Sequence, residues 1–230
     1  AKKSRVISDK ERNIVAHHEA GHTVIGMVLD EAEVVHKVTI VPRGQAGGYA
    51  MMLPKQDRFL MTEPELLDKI CGLLGGRVSE DINFHEVSTG ASNDFERATK
   101  MARAMVTKYG MSERLGVMVY EDENQNGFFG NVGSRTISDA TQQKVDEEVR
   151  RILDQQYKVA RDILENNQDI AHAMVKALME WETIDRDQIR DIMEGREPRP
   201  PKVYVAENPV AAFEPPKDGP STPPPLPAMG

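Results

Sequence analysis

His18-Glu19-Ala20-Gly21-His22 decides how this chain is read. Two imidazoles stand four residues apart, with a carboxylate directly after the first, which is the HExxH pattern of zinc metallopeptidases. On a helix, positions i and i+4 lie one above the other on one face, so both rings reach a single metal ion. Glu19 falls about 100° further round, suited to act as a base on an attacking water without being a ligand. Ser8 and Glu11 form an S-x-x-E capping box that predicts a helix start at about Asp9. Ile14, His18, His22, Ile25 and Leu29 then share one stripe. No formal charge occurs from Ala20 to Leu29, so the helix is expected to be buried around most of its circumference. A lone inward histidine is usually a neutral core residue satisfied by hydrogen bonds. A stacked pair beside a glutamate points instead to a metal site in a core helix.

Working outward, Val34 to Val41 is a β-branched run ended by Pro42-Arg43-Gly44, and Gly47 to Leu53 is a second extended run stopped by Pro54. These read as a hairpin or ribbon, the glycine-containing second segment being an edge strand. Thr62 with Glu65, and Met61 with Leu66, cap and staple a second helix. It runs through Leu74-Gly75-Gly76, where paired glycines allow close helix contact, to about Asp81. Val87 to Asp94 is rich in turn and cap residues and leads into a third helix, which Gly110 stops. Leu115 to Tyr120 reads as a short strand and Glu121 to Ser134 as an acidic surface loop. A long helix after Ser138 turns Val145, Val149, Ile152, Val159 and Ile163 inward, and a shorter one covers about Asp169 to Met179. The last is capped by Asp185 and Gln188, with Ile184 and Ile189 as its staple. The expected fold is mainly α, a multihelical domain over residues 1–195 with a small β-ribbon. From Arg196 onward the pattern disappears, and eleven of the 14 prolines fall there. Residues 196–230 are therefore expected to form a disordered Pro-rich tail.

A formal net charge of −8 with no basic stripe argues against nucleic acid as a partner. Aromatics are only 5% while there are 12 methionines, mostly inside helical patterns, where they fill a core. Cys71 is the only cysteine, which excludes an intrachain disulfide and suits a reducing compartment. Its neighbours Ile70, Gly72, Leu73 and Leu74 suggest a buried, inert thiol. No apolar run approaches the ~18 residues needed to cross a bilayer, and no signal peptide is visible. The chain begins at Ala1 without an initiator Met, as expected of a fragment of something larger and itself soluble.

A catalytic zinc commonly has three protein ligands and one open position. Asp94 is the best third candidate, because Asp94, Ala98, Met101 and Met105 share a stripe that turns the carboxylate inward at a helix start. The other reading of Asp94 is a carboxylate that complements the helix dipole. Glu80 is the rival, since HExxH enzymes often take a glutamate from a later helix. His85 and Glu86 are weaker candidates.

Three motifs in order, His18 to Gly26, Val38 to Gly44 and Ser88 to Asp94, resemble the peptidase domain of the FtsH family of membrane-anchored, ATP-dependent zinc proteases. The resemblance covers about residues 4–195. It implies one zinc ion per chain held by His18, His22 and Asp94, Glu19 as catalytic base, and Glu80 in support beside the site. It also implies a helical domain that assembles into a homo-hexameric ring, with unfolded polypeptides as substrates. In that family a AAA+ ATPase module and a membrane anchor precede the peptidase, which faces the cytoplasm at the bacterial cell membrane. No GxxxxGK[ST] phosphate loop occurs in this sequence, so ATP would act only through a module outside it. Substrate is expected along the edge strand at Gly47, Gly48, Tyr49, Ala50 and Met51, held by main-chain hydrogen bonds. The competing reading is a structural zinc ring that only holds a partner ATPase in register. Glu19 speaks against it, since a structural site has no use for an unligated carboxylate beside the metal.

Overall fold

The computed structural model describes residues 8–29, 34–42, 47–53, 60–86, 88–120 and 138–201. The acidic loop expected at 121–134, most of the turn after Pro42, and the chain beyond 201 lie outside these residues. The element order is α1 (Asp9–Val28), β1 (Val34–Thr39), β2 (Tyr49–Leu53), α2 (Glu63–Phe84), α3 (Ser92–Thr107), α4 (Asp139–Asn166), α5 (Gln168–Trp181), β3 (Thr183–Asp185) and α6 (Arg186–Met193). Helices dominate, with a small antiparallel sheet, as the sequence pattern predicts.

The capping boxes set the helix starts. Ser8 N–H donates to Glu11 Oε2 at 3.0 Å, and Glu11 N–H returns the bond to Ser8 Oγ at 3.3 Å. Asp185 Oδ1 accepts from the Asp187 and Gln188 amides, both at 3.0 Å, while Gln188 Oε1 accepts from Asp185 N–H at 2.9 Å. Each pairing satisfies amides that have no partner inside the helix. The staple residues Ile184 and Ile189 are both fully buried.

Two hydrophobic clusters share the interior. One gathers α1, β1, α5 and α6 through Ala20, Val24, Val38, Met174, Leu178 and Ile189. The other gathers α3 and α4 through Ala98, Ala102, Met105, Val145, Val149 and Ile152. Helix α2 belongs to both, giving Cys71 and Val78 to the first and Leu66, Ile70 and Leu74 to the second. Burial, with nearby Asp68, pushes the Cys71 thiol up to about 12, so it is the inert core residue its neighbours predict.

Helices α1 and α2 meet backbone to backbone. A Cβ on Gly21 would lie 2.4 Å from the Gly75 carbonyl oxygen, and one on Gly75 would lie 2.8 Å from Ile25 Cδ1. Only glycine fits at either position, which is the close contact the paired glycines foretell. This contact brings the HExxH face of α1 against α2.

Among the described residues the sheet has the order β2-β1-β3, which makes β2 an edge strand there, as expected. Val38 pairs with Ala50 on one side and Ile184 on the other, and the β1–β2 register shifts between Val35 and Lys37. Strand β3 was not expected. Its three residues are too few to show a period and merge into the cap of α6. Leu115 to Tyr120, expected as a strand, is not one. Tyr120 N–H bonds back to the Thr107 carbonyl and Val117 is 97% exposed, so this segment finds no strand partner among the described residues. Past α6, Asp191 pairs with Arg196 at 2.9 Å and with Arg199 at 2.7 Å, while the Gln188 side chain donates to the Arg199 carbonyl at 3.0 Å. Residues 196–199 therefore lie against α6. No described helix is long and apolar enough to cross a membrane.

Candidate metal centre

His18 and His22 stack one turn apart on α1, with ring centroids 4.7 Å apart and planes at 79°. Their Nε2 atoms are 3.0 Å apart. Asp94, in the first turn of α3, places Oδ2 3.4 Å from His18 Nε2 and 3.5 Å from His22 Nε2. Among the described residues, His18, His22 and Asp94 form the group whose ligand atoms all fall within 4.8 Å of one another.

The outer nitrogens of both rings are engaged. His22 Nδ1 lies 2.8 Å from the Gly72 carbonyl oxygen. A carbonyl only accepts, so Nδ1 carries a hydrogen, and the ring is turned with Nε2 facing inward. His18 Nδ1 lies 2.7 Å from Glu80 Oε1, which orients that ring in the same sense. Glu80, the rival third ligand, thus sits behind His18 and away from the Nε2 cluster. It is nearly fully buried and also accepts from the Ser88 amide at 2.9 Å and the Ser88 hydroxyl at 3.1 Å. His18 occupies space that α2 leaves free. A Cβ on Gly76 would lie 2.5 Å from His18 Cε1, so any larger residue there displaces the ring.

The electrostatics favour a cation. Burial alone would lower the His18 pKa, but hydrogen bonds donated to Asp94 and Glu80 and the nearby charges of Glu19 and Glu80 outweigh it and raise it to about 9. Burial works against the Asp94 carboxylate, yet the two imidazoles hold it well below the usual range. Glu80 is likewise lowered despite burial, by His18 and Ser88. Glu19 moves the other way. Burial dominates and raises it, partly offset by the two histidines.

These residues fit zinc. Donor atoms about 2.0–2.2 Å from a tetrahedral ion lie about 3.3–3.6 Å from each other; the two imidazole–carboxylate separations, 3.4 and 3.5 Å, fall in that range, and the two Nε2 atoms, 3.0 Å apart, are slightly closer. Two imidazoles and a carboxylate suit that metal, and three protein donors leave one position for water or substrate. Glu19 is buried on the same helix, between the two histidines in sequence, and its backbone carbonyl accepts from the Thr23 hydroxyl at 2.7 Å.

The sequence candidates separate clearly. His85 is the left-handed residue that ends α2, with φ of 51°, and Glu86 is exposed and pairs with Lys10 at 3.8 Å; neither joins the Nε2 cluster. Gly47 and Gly48 lead into β2, which continues through Tyr49, Ala50 and Met51. A Cβ on Gly48 would meet Glu19 Cγ at 3.1 Å and Val15 Cγ1 at 2.9 Å, so the edge strand begins beside the candidate base. Two contributors escaped the sequence reading. Ser88 was visible only as a turn residue, and the Gly72 carbonyl has no side-chain signature at all.

The family model of Peptidase family M41 matches residues 5–192. The chain is 66% identical over 195 residues to an ATP-dependent zinc metalloprotease FtsH of Staphylococcus haemolyticus, covering 84% of this chain and 27% of that protein. It is 57% identical over 198 residues to the FtsH of Bacillus subtilis, covering 84% and 31% respectively. With the FtsH of Cupriavidus metallidurans it shares 54% over 201 residues, covering 87% and 31%. The chain thus spans about three tenths of the length of these relatives. With two imidazoles and one carboxylate converging beside a buried glutamate, and with this match over most of its length, the chain belongs to peptidase family M41.

Proposed function

We propose that this chain is the proteolytic domain of an ATP-dependent, FtsH-type protease, with His18, His22 and Asp94 holding one zinc ion per chain. The observation that carries this reading is the convergence of His18 Nε2, His22 Nε2 and Asp94 Oδ2 within 4.8 Å, with Glu19 buried on the same helix. Zinc bound there would lower the pKa of a water towards ~7 and polarise the scissile carbonyl. Glu19 takes a proton from the attacking water at its carboxylate and delivers it to the leaving amine. Its burial excludes bulk water from that transfer. Glu80 and the Gly72 carbonyl keep the two rings facing inward. A purely structural zinc site, the alternative, assigns no task to Glu19.

The substrate proposed is an extended polypeptide that adds to the open side of β2, pairing along Gly47 to Met51. Among the described residues strand β2 pairs with β1 alone, and its start abuts Glu19, which supports that placement. Main-chain pairing suits unfolded chains of many sequences. For the whole protein we extend the organisation the family resemblance implies. It comprises a hexameric ring, a AAA+ module that spends ATP to unfold substrates, and a membrane anchor that keeps the peptidase at the cytoplasmic face of the bacterial membrane.

The test is Glu19→Gln. The variant should keep its zinc and its fold while casein or peptide hydrolysis falls by at least ~10²-fold, as for a missing general base. Substantial hydrolysis by zinc-loaded Glu19→Gln, or by the unaltered chain after complete chelation, would remove the proposed mechanism.

A further inference from the structure

His18 and His22 are set by α1 against α2, whereas Asp94 arrives from α3, which packs in the other hydrophobic cluster. Arg77, on α2, stands at the junction. One terminal nitrogen donates to the Ser88 carbonyl at 2.7 Å. Its guanidinium carbon lies 4.7 Å from the centre of the Phe95 ring, and Phe95 directly follows Asp94. Its Nε is buried without a hydrogen-bond partner and lies 4.0 Å from Glu80 Oε2. A planar guanidinium donates in its plane and stacks with its face, so one side chain grips both ends of the segment that delivers Asp94.

We infer that Arg77 is a positioning residue for Asp94, fastening residues 88–95 to α2 so that the carboxylate stays opposite the two Nε2 atoms. The contacts described for Arg77 are with Ser88, Phe95 and Glu80, so its action on Asp94 is indirect. The fold does not depend on it in the same way. Glu80 already ties Ser88 to α2 by two hydrogen bonds, and α3 is packed through Ala98, Ala102 and Met105. At the other end the Phe95 ring packs against the second hydrophobic cluster, and Arg77 adds the cation on its face. Lysine would keep the charge, but an ammonium cannot donate to the carbonyl and lie flat on the ring together.

The inference rests on the zinc reading above, and the experiment separates the two. Zinc affinity is measured by chelator competition, and site geometry by the visible spectrum of the cobalt-loaded protein. The variants are Arg77→Met, Arg77→Lys, Phe95→Leu and Asp94→Ala, each checked for fold by circular dichroism. Arg77→Met, Arg77→Lys and Phe95→Leu should each weaken zinc about tenfold, in the range for residues that orient ligands, and alter the cobalt spectrum. On an Asp94→Ala background, Arg77→Met should add less than about a twofold further loss, because its effect passes through Asp94. Unchanged zinc affinity in folded Arg77→Met overturns the inference, as does a full tenfold loss that persists without Asp94. If Arg77→Met fails to fold, Phe95→Leu carries the same test. Equal zinc binding by the unaltered chain and Asp94→Ala would instead sink the ligand assignment itself.

Discussion

The α1–α2 contact and the arm that carries Asp94 solve the same problem by opposite means. The first is built from backbone. Gly21 and Gly75 bring two helix backbones together, Gly76 makes room for the His18 ring, and a carbonyl of α2 orients His22. The second is built from long side chains, with Arg77, Glu80, Ser88 and Phe95 spanning a loop and a helix start. The comparison teaches that the histidines occupy a rigid seat which tolerates no added volume, while the carboxylate is tethered by contacts that can be loosened one at a time.

Gly21→Ala strikes the rigid side and should have the largest effect. The added methyl would meet the Gly75 backbone at 2.4 Å, and backbone cannot rotate away. A cost of about 3 kcal/mol is expected, the upper end for overpacking, or roughly 6–12 °C in thermal midpoint for a domain of this size. A midpoint within a degree of the parent would show that the helices separate freely and that the contrast is false.

Glu80→Ala tests the tethered side. Its loss frees the outer nitrogen of His18 and releases Ser88, so zinc affinity should fall 10–100-fold with the α1–α2 packing intact. Asp94→Ala should fall further, having lost a proposed ligand atom. If chelator competition finds the site empty in Glu80→Ala but filled in Asp94→Ala, the roles of the two carboxylates are reversed.

A smaller effect should appear in acid. Glu148 of α4 is 1% exposed and accepts from Ser112 at 3.0 Å, Arg114 at 3.1 Å and Arg151 at 3.2 Å. Burial opposes its ionisation, but these donors win and hold its pKa below the ordinary value near 4.5. A carboxylate lowered by folding stabilises the protein above its unfolded pKa, and that contribution is lost as pH falls through the folded one. The thermal midpoint should therefore drop below about pH 4.5 more steeply in the parent than in Glu148→Gln. Parallel curves would show that the ion pairs of Glu148 carry no weight.

Much of this was legible because the deciding signals are short-range. Ser8 with Glu11, and Asp185 with Gln188, lie three residues apart and mark helix starts without knowledge of any partner. His18 and His22 lie four apart and declare a shared face. The proposed third ligand needed tertiary information. Asp94 was drawn from an inward stripe and Glu80 from the habit of HExxH enzymes, and only their distances from the two ring nitrogens tell them apart. Strand β3 escaped because three residues carry no period, and Leu115 to Tyr120 misled because β-branched composition reports fitness for a sheet, not the presence of a neighbouring strand.

The hydrogen bond from His22 to the Gly72 carbonyl has a consequence for heredity. No codon specifies a main-chain oxygen. A Cβ on residue 72 would meet nothing within 4 Å, so most replacements there would still present the same acceptor. His18 depends instead on a carboxylate that a single base change can delete. The two histidines are equivalent in the motif but unequal before mutation, and drift in this chain would be felt first at His18.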